Sequence, residues 1–127
     1  MKISGSEHIW HELADLFFLD TEPTEQDYIR VAELVTKVCW TSPDVHTFIV
    51  KYIAPNYAAN LGFLIFPAIG EWALFDKKEV LKNVQKSINL RNQYPDWYFL
   101  ISDWWYARML KQLDFHRLEI EIQKILR

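Results

Sequence analysis

Few residues in this sequence have the type and spacing that chemistry requires. Two histidines, His8 and His11, stand three residues apart in a helical stretch, near enough on one face to share a metal ion. The zinc-protease pattern instead places its histidines four apart around a glutamate, and no cysteine pair lies nearby. The pattern therefore favours a protein with no metal site and no cofactor.

Carboxylates are the remaining candidates for catalysis. Glu71 is the one charge in the apolar stretch 61–75, and burial there would raise the pKa of its carboxyl group. Asp20 and Glu22 share a predicted turn. A charge inside such a stretch must be paired or face outward, so we assign a structural role to Glu71, Trp72 and Asp76. The sequence has no glycine-rich phosphate loop and no nucleophile elbow, and we predict that the protein is not an enzyme.

Charge is unevenly distributed along the 127 residues. The net charge is −3, but residues 1–38 hold eight acidic and three basic side chains, whereas the remainder has a slight basic excess. An acidic surface attracts a basic partner, and exposed aromatic side chains supply anchors. The predicted partner-binding residues are the acids Glu12, Asp15, Asp20, Glu22, Glu25 and Asp27, with Tyr98 and Trp105 as anchors.

The elements that must position these residues read as helices. Apolar side chains recur at helical spacing, and half of the residues are hydrophobic, with 16% aromatic. We predict an all-α fold over residues 1–127, a single-domain helical bundle of about six or seven helices with an aromatic core. The predicted helices cover residues 5–18, 25–38, 42 to near 55, 56–64, 77–90, 97–110 and 115–126, although one unbroken helix from Asp96 onward is an alternative.

Start signals mark most of these helices. Ser4 with Glu7 and Thr24 with Asp27 fit the capping box, and Ser42 precedes a proline and an acid in the order typical of a helix start. The third helix is expected to stop near its proline at position 55. The aspartates predicted to cap later helices are Asp76, Asp96 and Asp114.

Two apolar stretches compete for the centre of the bundle. We predict that Leu61–Asp76 is a hub of helix and loop bent by Pro67 and Gly70, with a strand over Phe63–Phe66 as the alternative. The stretch is too short to span a bilayer. The aromatic helix Trp97–Leu110 is apolar nearly all round, which favours a central helix, the alternative being a helix with one face left for a partner.

Two blocks of the sequence resemble a known family. The blocks WHELADLFFLDTE, Trp10–Glu22, and GEWALFD, Gly70–Asp76, are similar to the signature blocks of an uncharacterised bacterial family of small single-domain proteins. The resemblance covers residues 9–82 and implies no activity, because the family has none established.

The favoured function is therefore binding. We interpret the chain as a cytoplasmic immunity protein that neutralises a bacterial toxin domain of basic, nuclease type, acting as a monomer or weak homodimer. The alternatives are a structural or regulatory interaction module, an enzyme using Glu71 or Asp20, and a nucleic-acid binder using the lysine ridge of α-helix 77–90. We expect the partner to be a protein and not a membrane or a nucleic acid. Met1–Trp10 lacks the layout of a targeting peptide, and Cys39 is predicted to be a buried structural thiol.

Overall fold

A computed structural model describes residues 1–18, 22–57 and 76–127, and over these residues the fold is all-α without a strand. A π-helical segment, Ile49–Ile53, continues the third helix, and a 3₁₀ turn, Asp96–Phe99, precedes the fifth. The predicted all-α helical bundle is confirmed. The helices are α1 Glu7–Phe18, α2 Glu25–Lys37, α3 Ser42–Phe48, α4 Lys77–Gln93, α5 Leu100–Gln112 and α6 Phe115–Leu126.

Side-chain caps fix two helix starts as predicted. At α2 the Thr24 hydroxyl accepts a hydrogen bond from the Asp27 amide at 3.2 Å, and the Asp27 carboxylate accepts one from the Thr24 amide at 2.9 Å. At α4 the Asp76 carboxylate accepts the Lys78 amide at 3.0 Å. Each bond satisfies an amide that has no partner inside its own helix.

Two other starts are displaced from their predicted positions. α3 is capped by Thr41, whose hydroxyl accepts the Asp44 amide at 3.3 Å, so Ser42 is the first helical residue and not the cap. α1 begins at Glu7, directly after Ser6, and the capping box predicted for Ser4 is not formed. Thr41 has the extended backbone of a cap residue, whereas Ser42 is already helical. Ser6 is buried, whereas Ser4 is exposed.

Two left-handed residues end helices. Cys39, at φ 62°, and its neighbour Trp40 close α2, their amides donating to the carbonyls of Thr36 and Val35, which is the Schellman arrangement. Cys39 is exposed, so the prediction of a buried thiol is wrong. Asp114, at φ 66°, makes no side-chain capping hydrogen bond to α6, and its role is to turn the chain between α5 and α6. The 3₁₀ turn at Asp96–Phe99 likewise has no side-chain cap.

The third helix does not stop at Pro55. α3 passes into the π segment, and residues 54–57 remain helical. Pro55 has no N–H for the carbonyl of Lys51, and in a regular helix its ring would clash with that carbonyl. In the wider π turn the amide of Ala54 donates to the carbonyl of Ile49 five residues earlier, and the chain continues past the proline.

The core lies among α1, α2, α3, α4, α6 and the π segment, and among the described helices α2 and α6 form the most extensive pair. Trp10 and Trp40 flank Phe48, with ring centroids at 5.9 and 5.0 Å from it. The predicted aromatic core is therefore present.

Several predictions concern residues outside the described ranges. They are the hub 61–75 with Glu71 and Trp72, the short helix that was expected to lead into it, and Asp20, and these stay predictions. No described helix combines the length and apolarity needed to cross a membrane.

Candidate protein-binding surface

The aromatic helix is not central to the bundle, which corrects the prediction. α5 buries Leu110 alone. Six large apolar side chains of the 3₁₀ turn and α5 are 56–85% exposed, and together we call them the aromatic face: Trp97, Tyr98, Leu100, Ile101, Trp104 and Trp105. Contiguous apolar exposure of this kind is typical of an interaction surface.

The opposite side of α5 attaches the helix to the protein. Tyr106, Met109 and Leu113 pack against the core beside Leu110. The contacts of α5 are chiefly with the π segment, the 3₁₀ turn and α6. Because the helix is apolar on every side, its periodicity does not indicate which side packs inward, and this is why the sequence favoured a central position.

A groove of about 620 Å³ lies between the aromatic face, the π segment and α4. Ile101 and Trp105 line it from α5, Leu90 from α4, and Lys51 and Pro55 from the helical segment that follows α3. Its size and mainly apolar lining match sites that bury a small ligand or the apolar side chains of a partner.

An ion pair joins α4 to α5 beside the groove. Nη1 and Nη2 of Arg91 both donate to the Asp103 carboxylate, with Nη1 2.9 Å from Oδ2, and the Arg91 side chain is only 7% exposed. Its guanidinium carbon lies 3.9 Å from the ring centroid of Phe99, a cation–π contact. Burial raises the pKa of Tyr52 nearby, and the charge of Arg91 opposes that rise. The positive charge of Arg91 is thus compensated inside the protein.

The other cations around the aromatic face are not compensated in this way. Lys51 lines the groove and has no ion pair among the described residues. Farther along α5, Arg108 and Lys111 border the exposed ring of Trp104, with the Arg108 guanidinium carbon 5.5 Å from the ring centroid. The exposed acid of this segment is Asp96. The surroundings of the aromatic face are therefore mainly positive.

The acids predicted to steer a partner belong to a different part of the molecule, α1, α2 and the turn between them. Glu12 pairs with Arg30 at 3.0 Å, and Asp27, which caps α2, lies 3.5 Å from the same guanidinium group. These two carboxylates are thus engaged within the protein. Of the other predicted acids, Asp15 is half-buried, Glu22 and Glu25 are exposed, and Asp20 lies outside the described residues.

Neither histidine of the candidate metal pair joins a ligand cluster in the described part of the chain. His8 is exposed, and Nε2 of the half-buried His11 lies 3.4 Å from the Glu12 carboxylate. Within the described ranges no three histidine, cysteine or acidic side chains come together as metal ligands.

Tyr98 and Trp105, which the sequence predicted as anchors, both line the groove, whereas the residues that surround them were not predicted. Lys51, Leu90 and Arg91 come from elements remote in sequence, and the one available signal was the proline inside a helical pattern at position 55.

No curated protein and no solved structure matches this chain. A family match covers residues 5–120 and so includes the whole of the aromatic face and the groove. The chain belongs to that family, DUF7079, which is described as a domain of unknown function.

Proposed function

We propose that this protein acts by binding another protein through its aromatic face, and that it serves as a cytoplasmic immunity protein against a bacterial toxin domain. The observation that carries the proposal is the exposure of six large apolar side chains on one helix and turn. Trp and Tyr are enriched among the few residues that contribute most of the binding energy in protein interfaces. Tyr98 and Trp105, both more than half exposed, would be the central anchors.

Fewer acidic residues than the sequence predicted are free to attract a partner. Glu12 and Asp27 are held by Arg30, which leaves Glu22 and Glu25 as the exposed residues among the described acids that were predicted to steer a partner. Long-range attraction between such acids and a basic, nuclease-type toxin would raise the association rate more than the affinity. We assign these two residues to steering and the aromatic face to binding.

The test is protection of cells from the toxin. The chain is co-expressed with the C-terminal domain of each toxin encoded beside it, and growth is compared for the wild type, Trp105→Ala and the control Lys78→Ala on the exposed side of α4. The wild type and the control should protect, and Trp105→Ala should not, because the substitution removes an anchor. Cell death despite soluble wild-type protein, or full protection by Trp105→Ala, would contradict the proposal.

The same exposed helix also favours an alternative, a regulatory or structural module that forms a homodimer through the aromatic face. Light scattering separates the two. A stable dimer that dissociates on Trp105→Ala would support the module, whereas a monomer would support the inhibitor.

A further inference from the structure

We infer that the groove holds the apolar side of an amphipathic helix of the partner protein, and that Lys51 pairs with a carboxylate on that helix. The inference rests on the proposed function, because it names the element of the partner that the aromatic face would contact.

The shape of the site suits a helix more than a flat surface. The groove is walled by apolar side chains from three elements, with Leu90 on α4, Pro55 after the π segment and Trp105 on α5. Helix-in-groove recognition inserts apolar anchors at three- and four-residue intervals into such a channel. A volume of about 620 Å³ accepts several of these side chains at once.

The charges of the site favour an acidic partner helix. Arg91 is neutralised by Asp103, whereas Lys51 lines the groove without an ion pair in the described part of the chain. Beyond the groove, Arg108 and Lys111 extend the positive border. Desolvating an unpaired ammonium group on binding is unfavourable unless an anion meets it, so a carboxylate opposite Lys51 is required for tight binding.

A second copy of the chain fits the charges less well. A two-fold dimer brings the same patch against itself. Each copy would contribute three cations, Lys51, Arg108 and Lys111, against two exposed acids, Asp96 and Asp114, so both sides of the interface would carry an excess of positive charge. The charge pattern therefore selects a different protein as the occupant.

The backbone gives an independent reason to place function at this point. Lys51 is the middle residue of the π segment Ile49–Ile53. Such segments are rare, are less favourable than regular helix, and occur frequently at functional sites. Lys51, inside the π segment, and Pro55, just after it, both lie in the wall of the groove.

The experiment uses two synthetic helical peptides with the same leucine-rich side, one with glutamates and one with lysines on its polar side. Each is titrated into the full chain, and binding is followed by calorimetry and by tryptophan emission. The glutamate peptide should bind about tenfold more tightly than the lysine peptide. Lys51→Glu should remove or reverse that preference, and Trp105→Ala should abolish binding of both peptides. Lys78→Glu makes the same charge change at the exposed start of α4 and should have no effect.

Other outcomes overturn the inference. Equal affinity for both peptides, an unchanged preference in Lys51→Glu, or no saturable binding of the glutamate peptide would each contradict it. So would binding to anionic lipid vesicles in place of the peptide, or self-association through the groove detected by light scattering.

Failure of the inference and failure of the proposed function are distinguishable. If Trp105→Ala abolishes toxin protection while Lys51→Glu protects fully, the function holds and the carboxylate pairing is wrong. If the chain never protects but binds the glutamate peptide through Lys51, the groove is a helix-binding site and the immunity role is wrong.

Discussion

The buried and the exposed tryptophans of this protein are held in different ways. Trp10 and Trp40 are each 2% exposed, and their indole N–H groups donate to the Ser6 hydroxyl at 3.0 Å and the Lys2 carbonyl at 3.1 Å. The three tryptophans of the aromatic face are at least 56% exposed and make no indole hydrogen bond within the described residues. A buried indole needs a partner for its N–H, whereas an exposed one has water. The first pair therefore serves the fold, and the second group is available to a partner.

The largest effect should come from removing a buried tryptophan. Trp40→Ala leaves a cavity beside Phe48 and should lower the free energy of unfolding by about 3–5 kcal/mol. Trp105→Ala removes a similar side chain from the surface and should change it by less than about 0.5 kcal/mol. Urea denaturation of both variants measures the difference, and equal losses would mean that the exposed tryptophans also stabilise the fold.

A smaller loss of stability should follow when the ion pair that joins α5 to α4 is removed. Asp103→Ala leaves the guanidinium group of Arg91 without its partner, and we expect a loss of about 2 kcal/mol because that group is nearly buried. Asp96→Ala removes an exposed acid of the same segment and serves as the control. Thermal unfolding compares the two variants. A loss as small as that of the control would show that α5 is held by its apolar contacts alone.

The hydrogen bond of a buried indole should contribute less again. Ser6→Ala removes the acceptor of the Trp10 N–H, and an unsatisfied buried donor costs about 1–2 kcal/mol. Ser4→Ala should have little effect, because Ser4 is exposed and caps nothing. Chemical denaturation measures both variants, and a larger loss of stability in Ser4→Ala would indicate that Ser4 caps α1, as the sequence predicted.

The smallest effect should be a gain next to Trp40. Cys39 has φ 62°, a conformation in which a Cβ atom is unfavourable, so Cys39→Gly should raise the free energy of unfolding by about 0.5–1 kcal/mol. Cys39→Ala keeps the Cβ atom and should give no gain. Calorimetric unfolding tests this, and a destabilised glycine variant would mean that the thiol itself contributes to the packing around Trp40.

Local structure was predictable from the sequence, whereas the packing of the helices against one another was not. α2 and its Thr24–Asp27 capping box lie where expected, because a helix period and a cap involve residues only a few positions apart. The orientation of α5 was not predictable, since a helix that is apolar all round gives no inward side. Pro55 was interpreted as a stop because the sequence does not show that a π turn accommodates it.

The candidate site divides in the same way. Tyr98 and Trp105 were identified by residue type, and their exposure agrees with a role as anchors. Glu12, one of the predicted steering acids, pairs with Arg30, 18 residues later, and this pairing depends on the packing of α1 on α2. Long-range contacts of this kind are set by the fold as a whole.

The π segment adds one residue to the third helix without ending it. One π turn is equivalent to a single residue inserted into a regular α-helix. Deleting one residue within Ile49–Ile53 would restore regular hydrogen bonding. The ring of Pro55 would then clash with the carbonyl four residues before it, and the helix would kink or end ahead of the groove. The additional residue thus lets this helix continue past Pro55 and place it in the wall of the groove.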